Sequence, residues 1–451
     1  MRVALFVHCF FPDHFYGTET YTLGLAKHLQ SFGHEVTVVA GVFQGEPRRD
    51  AIVTHSSYDG VPVITIDKNY EPHTRVRETY FHEAMRPHLT AVLRKLSPDV
   101  VHVTHLINHT AVLLEATKDL GLPLVATLTD FFGFCYNNKL EASDGSLCAG
   151  PDRWRSNCIA CHLRAAASGE EPRAKRLAGI PHGWRLGGFA LRAAVAFGWP
   201  RIAGADAIVP DIVERPEVLS RTYECYDAMI APTQFLRDAY VRNGFSGPRI
   251  SLSRFGIDID RTPKPARAPH APLTFGFIGQ IAAHKGTSLI VRAARAMPPG
   301  SVRLLIYGPE DQDKEYMGSL LEAAGPETEF RGTFKPERMA DVLAEMDVLA
   351  IPSTWYENSP LVLLNALATH TPVLVSDVQG LTEFIEEGRD GWSFRRGDLA
   401  DLTRVMGKLA ADPRAVRAAS ANTSYVRTTR SMASEVEAIY DRLVNSRPSV
   451  D

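Results

Sequence analysis

Short apolar segments alternate with helical segments through most of the chain, and this alternation constrains the fold more than any other feature. The pattern runs once before residue 262 and restarts after residue 272, with a proline-rich stretch between the two runs. Strands that alternate with helices form parallel sheets that helices cover on both faces. The sequence therefore predicts an α/β protein with two doubly wound, Rossmann-like domains that face each other across a cleft.

Apolar segments in both runs are predicted to be strands of these two sheets. A helix is predicted from Gly17 to about Leu29, and a helix near the C-terminus carries an apolar stripe within residues 436–443 that must be buried. The predicted strands are Val3–Val7, Glu35–Ala40, Val100–Thr104, Leu124–Leu128 and Ala228–Ala231 in the first run, and Leu273–Ile278, Val302–Tyr307, Val348–Ile351 and Val373–Val375 in the second.

The length and charge of the chain limit the classes of function that it can have. With 451 residues it is long for one hydrophobic core, which agrees with two domains. Its formal net charge of −3 argues against general nucleic-acid binding. No apolar run approaches the roughly 20 residues that span a bilayer, and Met1 is followed by a strand rather than by a signal peptide. We therefore expect a cytoplasmic protein, with peripheral contact to the inner face of the membrane as a further expectation.

Two loops in the second run have the features of a phosphate-binding site. The first follows the strand that ends at Ile278 and holds Lys285 next to Gly286, and the second places Glu357 before an apolar helix that starts near Ser359. Both loops follow the carboxyl ends of strands, which is the edge where open α/β sheets bind ligands. Free N–H groups and the dipole at a helix start also favour an anion. The sequence thus predicts an anion site at this edge.

Each of these features also has a simpler interpretation. Ser359 followed by Pro360 predicts a hydroxyl cap and then a first helical residue with a fixed φ angle. Asn365 inside the helix either bonds to the backbone, as in an ordinary capped helix, or binds a ligand hydroxyl together with Glu357. Lys285 either contacts a diphosphate or is an ordinary surface lysine beside a turn glycine.

Several segments together resemble glycosyltransferase family 4, a family of retaining enzymes with the two-domain GT-B fold. The resemblance rests on FGFIGQIAAHKG at 275–286, YGP at 307–309 and ENSPLVLLNALA at 357–368, supported by FFPDHFYGTETYTLGLAKHL at 10–29 and SRFGID at 253–258. It implies transfer of a sugar from a nucleotide-diphosphate sugar with retention of the anomeric configuration. The acceptor would be a glycan, a lipid-linked molecule or a small molecule, in polysaccharide or glycoconjugate biosynthesis.

The resemblance also implies the organisation of the domains. The donor lies against the C-terminal domain in that family and the acceptor against the N-terminal one. The implied boundaries are 1–258 for the acceptor-side domain with a cysteine-containing insertion at about 133–205, 259–272 for the linker, 273–425 for the donor domain, and 426–451 for a helix that returns to the first domain.

The same resemblance assigns roles to individual residues. Glu357 would orient the donor sugar and Lys285 would neutralise the departing diphosphate, while Asp130 and His105 are catalytic candidates on the acceptor side. His105 is alternatively an ordinary strand-end histidine. No catalytic divalent metal is expected. The expected donor-binding residues are Gly17, Gly279, Gln280, Lys285, Glu357, Asn358, Ser359, Leu361 and Asn365.

Three positions depart from the family pattern. Asn365 stands where the family has a glutamate that holds the ribose hydroxyls, Gln280 where it usually has arginine, and Thr129 where it commonly has histidine. A neutral amide bonds more weakly than a charged group, so the donor would be held less tightly. These departures leave a second interpretation open, a catalytically weak or inactive paralogue that serves as a partner or binding subunit.

Four of the six cysteines lie close together in the insertion with the spacing C-x12-C-x9-C-x2-C. A C-x2-C pair with two further cysteines in a loop suits a closed site of four thiolates, with zinc as the default and a 4Fe-4S cluster as the alternative. The simpler interpretation is a set of scattered thiols in a reduced compartment, as we expect for Cys9 and Cys225. The predicted ligands are Cys135, Cys148, Cys158 and Cys161.

Residues 151–201 are locally basic and rich in tryptophan. They contain nine Lys or Arg against three acidic residues, together with Trp154, Trp184 and Trp199. This composition favours contact with anionic lipid headgroups or with a lipid-diphosphate acceptor. An ordinary solvated loop region is the alternative.

Overall fold

The computed structural model describes residues 1–43, 45–47, 50–167, 182–198, 204–261 and 272–446. They divide into two compact units. The first contains residues 1–254 together with the C-terminal residues from Thr429, and the second contains Phe255–Thr428. The predicted linker at 259–272 lies largely outside the described residues.

The first unit is built on one eight-stranded sheet with the order β3-β4-β2-β1-β5-β6-β7-β8. Neighbouring strands are parallel except for β3 and β4, which form an antiparallel hairpin. The expectation of a purely parallel sheet is therefore wrong at this edge. The reason is a two-residue turn, Asp59-Gly60, in which both residues have positive φ. The strands are β1 (Arg2–Val7), β2 (Glu35–Val42), β3 (Val53–Tyr58), β4 (Val61–Asp67), β5 (Val100–Val103), β6 (Leu124–Thr127), β7 (Ala228–Ala231) and β8 (Ile250–Leu252).

Helices connect these strands and include the C-terminal helix of the chain. The helices that precede the second unit are α1 (Gly17–Ser31), α2 (Arg86–Leu96), α3 (Val112–Asp119), α4 (Ser156–Ala166), α5 (Gly183–Ala196), α6 (Ala205–Tyr223) and α7 (Gln234–Arg242).

The second unit contains a six-stranded sheet with the order β11-β10-β9-β12-β13-β14, and its strands are all parallel. This is the Rossmann strand order, with the reversal between β9 and β12. The strands are β9 (Leu273–Ile278), β10 (Val302–Tyr307), β11 (Thr328–Phe330), β12 (Val348–Ile351), β13 (Val373–Ser376) and β14 (Gly391–Phe394). The helices are α8 (Thr287–Arg295), α9 (Lys314–Ala323), α10 (Met339–Ala344), α11 (Leu361–Ala368), α12 (Leu399–Ala411) and α13 (Pro413–Asn422).

The last helix, α14 (Thr429–Asn445), packs against α1 in the first unit. Its apolar stripe is buried at Val436, Ile439 and Tyr440. The Tyr440 hydroxyl lies 2.5 Å from Nδ1 of His102, a fully buried residue of β5. Burial lowers the pKa of His102 to about 3, so its imidazole is neutral at physiological pH. Within the described parts of the chain, no helix combines the length and the apolar character needed to cross a membrane.

Candidate functional site

Two loops at the carboxyl edge of the second sheet bring Lys285 and Glu357 together. The loop after β9 ends in a short 3-10 turn, Ala283–Lys285, followed by Gly286 with φ +74°. A Cβ atom on Gly286 would overlap the carbonyl oxygen of Pro352, which directly follows β12. This close approach of the two loops places the lysine beside the glutamate.

Glu357 is a buried carboxylate with a concentrated set of donors. The Lys285 ammonium lies 2.7 Å from its Oε1, and the Ser353 hydroxyl and Trp355 indole donate to the same oxygen at 2.5 and 3.2 Å. Burial alone would raise the pKa of Glu357, but Lys285 and these hydrogen bonds outweigh it and hold the pKa below its usual range. Glu357 is therefore charged at neutral pH, and its Oε2 accepts none of these bonds.

The backbone of Glu357 is held by the loop after β13. Gly380 has φ +87°, and a Cβ atom there would overlap the Glu357 carbonyl oxygen. The Glu357 amide also donates to the Gln379 carbonyl at 3.4 Å. Sequence reasoning missed this support, as it missed Ser353 and Trp355. A glycine five residues after a predicted strand was the available signal for a tight backbone approach.

The predicted hydroxyl cap of α11 is wrong. The helix starts at Leu361 with Pro360 as its N-cap residue, and no side chain caps it. Ser359 adopts φ +60°, and its buried hydroxyl has no partner among the described residues. The first N–H groups of α11 are therefore not occupied by a capping side chain, which keeps this helix start open to an anion.

Asn365 is a half-buried residue inside α11. Its side chain makes no hydrogen bond to any described residue, and only its backbone carbonyl accepts bonds, from Thr369. The interpretation in which the amide bonds to the backbone is therefore not what the structure contains. The amide is available to a ligand.

The other expected donor residues lie in the same loops, with one exception. Gly279 and Gln280 directly follow β9, and the Gly279 amide donates to the Tyr307 carbonyl at 3.0 Å. Asn358 is next to Glu357. Gly17 belongs instead to the first unit, where it is the first residue of α1.

The first unit has its own polar cluster at the carboxyl edge of its sheet. His105 Nε2, after β5, lies 3.1 Å from Asp130 Oδ2, after β6. The His105 ring is 4.0 Å from the ring of His8, which follows β1. His8 is 3.4 Å from Glu19 Oε1, and the Cys9 thiol donates to that oxygen at 2.9 Å. The structure thus places the predicted His105 and Asp130 together.

Sequence reasoning missed His8, Cys9 and Glu19 in this cluster. Among the described residues their ligand atoms lie within 4.8 Å of one another, a spacing that could hold a metal ion. Burial and the neighbouring His105 lower the pKa of His8 well below its ordinary value, so it is neutral at pH 7. The sequence signal that could have identified this cluster was an acidic residue, Glu19, in the first turn of the predicted helix α1. The structure buries Glu19 to 1% exposure. A small pocket next to His105 and Asp130 is lined by Tyr223, Tyr226 and Tyr240.

The four cysteines of the insertion converge on one region of the first unit. Cys135 follows the loop that contains Asp130, and Cys158 and Cys161 lie on α4. Each of the four thiols interacts electrostatically with the other three, and none forms a disulfide. Burial raises the pKa of Cys135, Cys158 and Cys161, that of Cys161 to about 12.

The structure describes only part of the basic region 151–201, because residues 168–181 and 199–203, with Trp199, lie outside the described residues. Trp154 is 58% exposed and Trp184 is half-buried. On and directly after α5, Leu186, Phe189 and Phe197 are 61%, 57% and 85% exposed. Their spacing of three and eight residues places them on one side of the helix.

Comparison with known proteins shows which proteins the chain resembles in sequence and in fold. A family model described as Glycosyltransferase Family 4 matches residues 15–142, and one described as Glycosyl transferases group 1 matches residues 272–412. The solved structure of Alr3699/HepE from Anabaena in complex with UDP-glucose has a TM-score of 0.58 over 99% of both chains, at 15% identity. The chain thus has the two Rossmann-like α/β domains of GT-B glycosyltransferases, and its two matched segments are similar to glycosyltransferase families.

Curated relatives of the chain are glycosyltransferases with different substrates. The D-inositol 3-phosphate glycosyltransferase of Nocardia farcinica is 32% identical over 206 residues, which cover 41% of this chain and 45% of that protein. The GDP-mannose-dependent alpha-mannosyltransferase of Mycolicibacterium smegmatis is 25% identical over 404 residues, 87% of this chain and 84% of that protein. The chain thus spans about half the length of the first of these relatives.

Proposed function

We propose that the protein transfers a sugar from a nucleotide-diphosphate sugar to an acceptor hydroxyl with retention of the anomeric configuration. One observation carries this proposal above the others. A charged Lys285–Glu357 pair lies beside the uncapped start of α11, at the sheet edge where Rossmann-like domains bind nucleotides. The residues lie within the segment that matches the group 1 glycosyl transferase model.

The leaving group explains what each of these groups would do. As the bond between sugar and diphosphate breaks, negative charge grows on the phosphate. Lys285 and the N–H groups of Ser359 and Leu361 would stabilise that charge, and Pro360 has no N–H to give. Glu357 Oε2 would accept a hydrogen bond from a sugar hydroxyl and so orient the ring. Front-side attack by the acceptor hydroxyl needs no protein nucleophile.

We assign recognition of the acceptor to the first unit. Asp130 with His105, and Glu19 with His8, are carboxylate–histidine pairs that could accept a proton from an acceptor hydroxyl. The acceptor would be a glycan, a lipid-linked molecule or a small molecule, and the reaction would serve polysaccharide or glycoconjugate synthesis in the cytoplasm.

We also assign contact with an anionic membrane surface to α5 and its flanks. Leu186, Phe189 and Phe197 form an exposed apolar stripe in a basic region, which is the pattern of an interfacial helix. Sedimentation with vesicles of phosphatidylglycerol and of phosphatidylcholine tests this. We expect binding to the former, reduced several-fold in a Phe189→Ser/Phe197→Ser variant. The control is Leu321→Ser, an equally exposed leucine of the second unit. No binding to anionic vesicles would refute the assignment.

A second candidate function is a binding subunit with weak or no transferase activity. Specific residues favour it, since Asn365, Gln280 and Thr129 replace groups that the family uses at the donor. Thr129 donates its hydroxyl to the Thr104 carbonyl at 2.8 Å, which commits it to the backbone.

Calorimetric titration with UDP-, GDP- and ADP-sugars separates the two candidates. We expect one nucleotide sugar to bind and to be hydrolysed or transferred, with binding weakened in Lys285→Ala. If none of the three donors binds, and the protein instead forms a stable complex in pull-downs, the binding-subunit interpretation replaces the transferase.

A further inference from the structure

The sulfurs of Cys135, Cys148, Cys158 and Cys161 lie in one region of the first unit. The distances between them distinguish a single zinc ion from a larger metal cluster. Four thiolates on a single zinc ion would lie about 3.8 Å apart, because Zn–S bonds of about 2.3 Å point to the corners of a tetrahedron. Within the described residues, which include all four cysteines, no three of these sulfurs lie within 4.8 Å of one another. The four sulfurs are therefore spaced more widely than four ligands of one zinc ion would be.

Hydrogen-bond donors already point at two of the sulfurs. Cys135 Sγ accepts from the Leu140 amide at 3.4 Å. Cys148 Sγ accepts from the Gly150 amide at 3.5 Å and from the Asn157 side chain at 3.6 Å. Bonds of this type stabilise the negative charge of thiolates that bind a metal and tune iron–sulfur clusters.

A buried cation faces the same region. Arg215 of α6 is only 3% exposed, and its guanidinium interacts electrostatically with Cys135 and Cys158. Its Nη2 donates to the Phe132 carbonyl at 2.9 Å, and the rings of Tyr80 and Phe132 lie against it. Its Nη1 is buried and has no acceptor among the described residues. A buried charge with one unsatisfied nitrogen indicates that a negative group belongs beside it.

We propose that Cys135, Cys148, Cys158 and Cys161 bind a 4Fe-4S cluster, with Arg215 as its buried counter-charge. Each thiolate of such a cluster binds a different iron, which suits sulfurs that are grouped but lie too far apart for one zinc ion. The four thiolates and the cluster carry net negative charge, which gives the free Nη1 of Arg215 its partner. The site is structural, and the reaction itself needs no electron transfer.

The position of the site explains what such a cluster would do. Cys135 lies five residues after Asp130, and the intervening loop is tied to α7 by the Tyr240 hydroxyl, which contacts the Asp130 carbonyl and the Gly133 amide. Asn243, at the end of α7, donates to the Ala149 carbonyl beside Cys148. A cluster would join these segments and hold the loop that presents Asp130.

Metal analysis of the wild-type protein, purified without oxygen, tests the proposal without any need for a substrate. We expect about four iron and four sulfide per chain and a brown colour that dithionite bleaches. One zinc per chain without iron would overturn the cluster. Neither metal, with four thiols that react freely without denaturant, would overturn the site altogether.

Cysteine variants separate a specific cluster from iron bound elsewhere. A Cys158→Ser/Cys161→Ser variant should lose nearly all of its iron, whereas Cys225→Ser, which changes a half-buried cysteine outside the site, should keep it. Nucleotide-sugar binding by the second unit should persist in the double variant, which shows that the protein remains folded. Equal iron in all three proteins would contradict the proposal.

Arg215 variants test the counter-charge separately. Arg215→Met removes a positive charge and should lower the midpoint potential of the cluster, because reduction adds a negative charge. Arg215→Lys keeps the charge and should restore most of the potential, although it loses the planar stacking on Tyr80 and Phe132. Equal potentials for the Met and Lys variants would show that Arg215 only packs there.

Discussion

The two sheets end in polar clusters of opposite character. In the second unit a single carboxylate oxygen of Glu357 receives an ammonium, a hydroxyl and an indole, and the pKa of that carboxyl is lowered. In the first unit His8, Glu19, His105 and Asp130 meet in pairs, and the pKa of His8 is lowered as well. A lowered pKa keeps an acid charged but keeps a base neutral. The second unit therefore holds a carboxylate that stays charged at neutral pH, and the first holds histidine–carboxylate pairs in which His8 is neutral.

This difference fits the two roles that a sugar transfer requires. A donor diphosphate needs fixed charges that do not depend on pH, whereas an acceptor hydroxyl needs a group that takes its proton. We therefore expect substitutions in the second cluster to act on donor affinity and those in the first to act on the pH dependence of transfer.

The largest effect is expected from removal of the ion pair. Lys285→Ala and Glu357→Ala should each lower transfer by about tenfold or more, because one charge-assisted contact contributes about 1.5–3 kcal/mol. Initial rates and calorimetric donor affinities measure this. Lys27→Ala is the matched control, since Lys27 pairs with Asp59 on the surface, where both side chains are about half exposed.

The same measurements decide whether the two clusters have separate roles. Asp130→Asn should lower transfer and leave the donor affinity unchanged. If Asp130→Asn weakens donor binding as much as Lys285→Ala does, the two clusters do not have separate roles. Wild-type rates in both Lys285 and Glu357 variants would exclude this edge of the second sheet as the active site.

A somewhat smaller effect is expected when the support of Glu357 is disturbed. Gly380→Ala places a methyl group where the Glu357 carbonyl lies and should weaken donor binding several-fold. Gly388→Ala is the control, because Gly388 also has positive φ but has open space around it. Both changes should cost about 1 kcal/mol in backbone strain, so only the difference in donor affinity reports on Glu357. Equal affinities would show that Glu357 tolerates displacement.

We expect acid to lower the stability of the first unit before it affects the second. Burial lowers the pKa of His102 to about 3 and that of His109 to about 4, against about 6.5 when unfolded. Between pH 6.5 and these lowered values, the unfolded chain binds more protons than the folded one does. The contribution of the neutral histidines to the free energy of unfolding is therefore complete above pH 6.5 and is lost as the pH falls towards 4. At pH 5 each of these two residues should lower the free energy of unfolding of the first unit by roughly 2 kcal/mol.

The second unit should resist this range of pH. Among the described residues, the first unit contains six histidines whose pKa is lowered, namely His8, His73, His82, His102, His109 and His162. The pKa of Glu357 is lowered, so this carboxylate contributes to the stability of the folded second unit at pH 5. That contribution is lost only when the pH falls below the ordinary range of a glutamate, through the lowered pKa. Hydrogen exchange at pH 7 and pH 5, corrected for intrinsic rates, should show early opening in the first unit alone. Earlier opening of the second unit would contradict the assignment.

Much of the fold could be predicted from buried apolar runs. The bounds of β7, β9, β10 and β12 match their predictions because each strand is apolar on both faces and ends at a turn. The hairpin of β3 and β4 was missed because β3 is largely exposed and lacks an apolar run. Its Asp59-Gly60 turn was nevertheless a readable signal. The short strands β11 and β14 offered no such pattern.

The candidate site was predictable where single loops define it. Lys285 and Glu357 each follow a strand end, so topology alone brings them to one edge. Ser353, Trp355 and Gly380 contact Glu357 only because three loops pack together. Local sequence patterns do not predict that packing. The cap at Ser359 was mispredicted because propensity favours a serine there, whereas the packing of the loop imposes a left-handed backbone.

The smallest expected effect concerns Asn365, where the two interpretations of α11 finally diverge. Asn365→Glu introduces a carboxylate at a half-buried position with no existing hydrogen bond to break. If a ribose lies there, donor affinity should rise by up to about tenfold, since a charge-assisted bond is about twice as strong as a neutral one. Asn365→Gln, which keeps the amide, should stay near the wild-type affinity. A collapse of affinity in the Glu variant alone would mean that a phosphate, and not a ribose, approaches this residue, because a second negative charge would then repel the donor.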